Sequence, residues 1–127
     1  MTPSAAERDA IFKTFGRAWF KQDLDLMFQV VTPDFVWNSP PGPDETASSR
    51  AQGREQVAAQ FARRNGLNEN VRFHDVAYHH APEASFMTFR ITGTVKATGQ
   101  PFETLGVERY TFRDGKLAVK DVYTRSA

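Results

Sequence analysis

A chain of 127 residues with a formal net charge of +1 suits one domain with one core, read here as a single domain over residues 1–127. Its 11 Phe are many for this length and imply a generous apolar interior or pocket. The scattered basic residues leave no footprint for nucleic acid, and the lack of Cys excludes disulfides, thiolate metal sites and a cysteine nucleophile. No apolar run approaches a membrane span, and the polar start MTPSAAERDA reads as no secretory signal, so a cytoplasmic protein with no membrane partner is expected.

Residues from about Ser4 to Lys21 read as a helix, with Ser4 and Glu7 spaced as a capping box. Ile11, Phe12, Phe15, Ala18 and Trp19 follow its apolar stripe. Asp23 caps a shorter helix over QDLDLMFQVV, which Thr32-Pro33-Asp34 is expected to end. FVWNS then reads as a short strand, and Pro40 to Gln52 as a loop rich in Pro, Ser and Gly. GREQVAAQFARRNG is a third helix that buries Val57, Ala58, Phe61 and Ala62. Four strands follow: about Asn70–Ala81, Ser85–Ala97, Phe102–Arg113 and Lys116–Arg125, with Asp114-Gly115 as a primed hairpin turn. Three helices on one face of an antiparallel meander make an α+β domain.

The turns predict which residues face one another. A two-residue loop at Asp114-Gly115 pairs Phe112 with Leu117, Tyr110 with Val119 and Glu108 with Asp121. A three-residue turn at Thr98 to Gln100 sets Phe86 opposite Phe112 and Arg90 opposite Glu108, whereas a turn one residue longer would swap the faces of the earlier strands. A two-residue turn at Pro82-Glu83 sets His79 opposite Phe86 and Asp75 opposite Arg90. One face then carries Phe73, Phe86, Tyr110, Phe112, Leu117, Val119 and Tyr123, crossed by a row of Asp75, Arg90, Glu108 and Asp121. Carboxylates crowded in low dielectric repel, so one tends to keep its proton near neutral pH, which serves acid–base chemistry. The structural alternative is an ion-pair ladder that only fixes register. The other face carries Val76, Tyr78, Met87, Phe89, Ile91, Leu105, Val107 and Val122. Both faces are apolar enough to need cover and helices cover one, so a homodimer through the sheet is expected.

The order helix, DLD helix, PDFVWNSP strand, GREQVAAQFARR helix, then a meander ending RDGKLAVKDVY resembles the nuclear-transport-factor-2-like superfamily, in its SnoaL-like and ketosteroid-isomerase-like branch. The resemblance implies a cone-shaped curved sheet with the helices of the N-terminal half enclosing an apolar cavity. It also implies a common sheet-to-sheet homodimer, and functions from isomerase, cyclase, dehydratase or hydrolase to non-catalytic binding or dimerisation module. Ser39 stands where ketosteroid isomerases carry their Asp base, and Phe15 where they carry an oxyanion Tyr. Asp121 is the nearest match to the acid–base residue of polyketide cyclases, with Glu108 in place of a His. The row with Asn38 and Tyr123 is similar in composition to the acid–Arg–acid cluster of epoxide hydrolases of this fold.

The expected reaction is therefore cofactor-independent acid–base chemistry on a small hydrophobic molecule. Asp121 would be the proton carrier, Glu108 its partner, Arg90 the orienting group and Tyr123 a hydrogen-bond donor. Asp75, Trp37, Phe15, Trp19, Tyr110, Phe86 and Ser39 would line the pocket. His79 and His80 are adjacent on a strand and point to opposite faces, and His74 joins the other face, so no metal site is expected. No nucleophile motif, phosphate loop or dinucleotide fingerprint occurs.

Overall fold

The computed structural model describes residues 2–43 and 45–127. Helix α1 spans Ala5–Lys21. Ser4 Oγ accepts from the Glu7 N–H at 3.2 Å, and the Glu7 carboxylate accepts from the Ser4 N–H at 2.9 Å, so the capping box forms. Arg8, Phe12, Phe15 and Ala18 make its buried stripe. A left-handed Gln22 ends it, and Asp23 caps the single turn of α2, Leu24–Met27.

Strand β1 then runs Val31–Ser39, so Thr32-Pro33-Asp34 lies inside a strand rather than in a terminating turn. Pro33 falls in the break of β1–β6 pairing between Val31 and Val36, where the ladder asks for no N–H. Inside the expected loop, Ser49–Gln52 forms β2, antiparallel to β1. Its four residues are too short and polar to show alternation. Asp44, also within that loop, lies outside the described residues. Helix α3, Gly53–Leu67, buries Val57, Gln60 and Phe61, while Ala62 is exposed, contrary to expectation.

Strands β3 (Asn68–His80), β4 (Ser85–Val95), β5 (Pro101–Arg113) and β6 (Lys116–Ser126) complete the described elements. The curved sheet runs β2-β1-β6-β5-β4-β3 and does not close. The expected antiparallel order holds except between β1 and β6, which pair in parallel. The core lies between the helices and one sheet face. Phe12 meets Tyr110 with ring centroids 4.9 Å apart, Phe15 meets Phe35 at 5.9 Å, and Trp19 meets Trp37 at 4.5 Å. At one end the buried Arg8 guanidinium donates to the carbonyls of Pro3, Ala81, Pro82 and Ala84, which pins α1 to the β3–β4 turn.

Three features shift the register. After Phe112 pairs with Leu117 as expected, a bulge at Ala118 makes Thr111, not Tyr110, the partner of Val119. Glu108 therefore pairs with Val122, and Asp121 pairs with Arg109. The β4–β5 connection is longer than a three-residue turn, and Thr94 pairs with Pro101. Phe86 then faces Arg109, and Arg90 faces Leu105. On β3, His79 does pair with Phe86, but a bulge between His74 and Ala77, with Asp75 at φ 56°, sets His74 opposite Arg90. An odd slip moves a side chain to the other face, so the row of four does not form.

Candidate functional site

The helix-covered face gathers Tyr78 and Phe73 from β3, Met87, Phe89 and Ile91 from β4, Glu108 and Tyr110 from β5, Lys120 and Val122 from β6, and Trp37 and Ser39 from β1. They line a cavity of about 440 Å³ and a second of about 200 Å³; Trp19, Phe73, Glu108 and Lys120 border both. Gly106 keeps room in this wall, because a Cβ there would run into the Phe89 ring.

At the junction lies a buried ion pair. Lys120 Nζ is 3.4 Å from Glu108 Oε2, and each residue is only 3% exposed. Pairing of Tyr110 with Lys120 and of Glu108 with Val122 sets the two charged residues on a diagonal of adjacent strands. The Tyr110 hydroxyl donates to the other carboxylate oxygen of Glu108. Aromatic rings hold the ammonium: Nζ is 3.2 Å from the ring centre of Trp19, 5.6 Å from Trp37 and 5.7 Å from Phe15. Phe61 of α3 closes this wall, 4.7 Å from Trp19 between centroids. One helical turn on, the Arg64 guanidinium lies 5.4 Å from the Trp37 ring centre, and its Nη2 donates to Ser39 Oγ at 2.7 Å.

Burial sets the protonation behaviour of these groups. Desolvation pulls the Lys120 ammonium down to about 8, against the opposing pull of Glu108 and helped by the positive charge of Arg64. Desolvation, then the Glu108 charge, push the Tyr110 hydroxyl well above its ordinary value, and the same causes raise Tyr78. Desolvation also lowers Arg64. The result is a buried junction of one carboxylate, one amine poised near neutrality and the protonated Tyr110, with a guanidinium toward one side and the partly exposed Tyr78 at its edge.

The SnoaL-like domain model matches residues 12–120. This chain belongs to the SnoaL-like domain family. A solved NTF2-like protein from Burkholderia xenovorans is 23% identical, with a TM-score of 0.84 over 96% of this chain and 92% of its own. A candidate polyketide cyclase from Xanthomonas campestris is 17% identical (TM-score 0.74; 93% and 90% covered). A protein of ketosteroid-isomerase-like fold from Catenulispora acidiphila, solved with trimethylamine, is 18% identical (TM-score 0.70; 97% and 86% covered). At such identities the likeness is one of fold. The comparison with curated protein sequences found no match.

Within this SnoaL-like domain the residues singled out from sequence divide by face. Glu108, Trp19, Trp37 and Ser39 line the larger cavity, and Phe15, Trp19, Glu108 and Tyr110 the smaller. Asp121, Arg90, Tyr123, Asp75 and Phe86 border neither. Asp121 accepts from Asn38 Nδ2 at 2.6 Å and lies 4.0 Å from Arg109. Arg90 pairs with Asp75 at 3.2 Å and with Glu103, rather than Glu108, at 2.9 Å. Tyr123 is 61% exposed.

Of the histidines, His80 spans Asp9 and Ser85, at 2.7 Å each, and His74 meets Thr92 at 2.8 Å. Among the described residues no group of three His, Asp or Glu is arranged to hold a metal ion, and no helix is long and apolar enough to cross a membrane.

Sequence reasoning missed Lys120 and Arg64 as site residues. Lys120 carried no signal of this: after Leu117 and Val119 it stands at a polar step of the alternation, and only the bulge at Ala118 turns it inward.

Proposed function

We propose that this domain, a single unit over residues 1–127, is a cofactor-independent acid–base enzyme acting on a small, mainly hydrophobic carbonyl compound held at the junction of the two cavities. The observation that carries the reading is the Glu108–Lys120 pair, dry and at the border of both chambers. Glu108 moves the proton next to the substrate carbonyl. The Lys120 ammonium and Tyr110 hydroxyl stabilise negative charge as it develops, in a medium where such donors count for more than in water. Trp19, Trp37, Phe15 and Phe61 hold the apolar body of the substrate. The candidate cyclase among the fold neighbours is in keeping with this class of chemistry. Asp121, Arg90 and Tyr123 then serve the opposite face of the sheet rather than the reaction.

A thermal-shift screen of hydrophobic carbonyl compounds and epoxides identifies the substrate, since binding to the native state raises the melting temperature by mass action. On a substrate so found, Glu108→Gln is expected to lower turnover by roughly 10²–10⁴-fold. Unchanged turnover refutes the assignment.

One observation favours a second reading, a ligand-binding module without catalysis: both Glu108 oxygens already have partners, Tyr110 and Lys120. Its mark is a ligand that raises the melting temperature and is recovered unchanged.

We also propose that a second copy covers the opposite face. Phe86, Leu105, Val107, Val119 and Tyr123 lie there among alternating charges, Arg109 beside Asp121 and Arg90 beside Glu103, a self-complementary pattern. Light scattering should give a dimer mass for the native chain and a monomer for Tyr123→Asp.

A further inference from the structure

We propose that Lys120 binds its substrate covalently: Nζ condenses with an aldehyde or ketone that carries an anionic group, forming an imine, while Arg64 holds the anion. This deepens the pocket reading above and rests on it.

Three observations carry it. Of the five lysines in the chain, Lys120 alone is buried, and its amine borders both cavities amid aromatic rings. A lysine held in an apolar pocket is the usual form of an imine-forming nucleophile. Next, Glu108 Oε2 at 3.4 Å is placed to take a proton from the amine and return it. Finally, the carboxylates around the chamber are already paired, and one cation is not. Glu108 is taken by Lys120, Glu103 by Arg90 and Glu45 by Arg63, so the partly buried Arg64 at the cavity wall is left without a paired carboxylate, while Tyr78 and Tyr110 stay neutral. Arg64 has no carboxylate within 4.0 Å among the described residues; Glu45 beside it pairs with Arg63. One anionic group on the ligand would give Arg64 a partner, and the guanidinium fork suits a carboxylate.

The step balances without an oxidant or reductant. The Lys120 ammonium gives one proton to Glu108. The free amine attacks the carbonyl carbon, and a proton shift from nitrogen to oxygen gives a neutral carbinolamine. Glu108 returns its proton to the carbinolamine oxygen, which leaves as water, and the resulting iminium pairs with the Glu108 carboxylate.

The test uses the full chain, 4-formylbenzoate or benzaldehyde, and sodium cyanoborohydride, which traps an iminium as a stable secondary amine. The expected result is one adduct per chain, mapped by peptide mass to Lys120, formed faster from 4-formylbenzoate. Lys120→Arg should lose the adduct, and Arg64→Gln should lose the preference for the carboxylate. Adducts spread over the exposed Lys13, Lys21 and Lys96 without enrichment at Lys120 overturn the proposal. So does a melting-temperature rise with either aldehyde and no adduct, an outcome that leaves the acid–base pocket standing. No adduct, together with no shift from any carbonyl compound, overturns both. If Lys120→Arg does not fold, the peptide map of the native chain still decides.

Discussion

The two faces of the sheet carry the same chemical vocabulary to different effect. On the helix-covered face, Glu108 and Lys120 sit 3.4 Å apart and nearly inaccessible. On the other, Arg90 contacts Asp75 and Glu103, and Asp121 contacts Asn38 and lies near Arg109, all partly in water. In the single chain water screens the second set, whose work is to hold strands in register and, in the dimer proposed above, to meet the second copy. The first set has lost its hydration, so each charge depends on its partner. Chemistry belongs where a charge has few alternatives, and that is the buried pair.

The sharpest way to break the comparison is to remove one partner on the dry side. Glu108→Leu leaves the Lys120 ammonium buried without its counter-ion and should cost about 3–5 kcal/mol. Adding Lys120→Met should recover much of that loss, because two apolar groups fill the space without a stranded charge. Chemical denaturation of both variants measures this. A single variant as stable as the parent would mean that water already reaches the pair.

A pH titration of stability probes the same point with a smaller effect. The Lys120 amine titrates near 8 in the folded chain and near 10.5 when unfolded. Between those values the unfolded chain holds a proton that the folded chain has released, so this group adds stability as pH rises from about 8. Tyr110 and Tyr78 act oppositely: raised above 10 in the fold, they keep protons that the unfolded chain loses, so stability falls again above pH 10. Lys120→Met should lose the gain between pH 8 and 10 and keep the decline above it. A parent whose stability matches that variant across the window would show that Lys120 is not desolvated.

Most of the fold could be read from residue patterns because its signals are local. Ser4 with Glu7, Asp23 before Leu24 and Asp114-Gly115 each act within four residues, and each does what its chemistry predicts. The site was only half legible because it depends on register, which sums small events along a strand. One extra residue at Ala118 separates Glu108 from Asp121 and joins it to Lys120, the longer connection after Val95 moves Arg90 from Glu108 to Leu105, and the bulge at a left-handed Asp75 sets His74 opposite Arg90. Asp75 shows why such events hide: a non-glycine residue at φ 56° carries no mark in the sequence. The aromatic wall survived these slips because Phe15, Trp19 and Trp37 are placed by helix periodicity and by β1, not by the meander.

The smallest expected effect lies on the wet side and bears on the whole division. Asp121→Asn keeps the size of the side chain, removes its charge and disturbs one hydrogen bond from Asn38 and a 4.0 Å approach to Arg109. In the single chain such partly exposed contacts contribute on the order of 1 kcal/mol and weaken as salt rises. The variant should therefore unfold within about 1 kcal/mol of the parent, with the difference shrinking at high salt. It should also bind cavity ligands as the parent does, since Asp121 borders neither chamber. Loss of ligand binding in Asp121→Asn, with stability intact, would move the chemistry to the other face and make the buried pair a structural element.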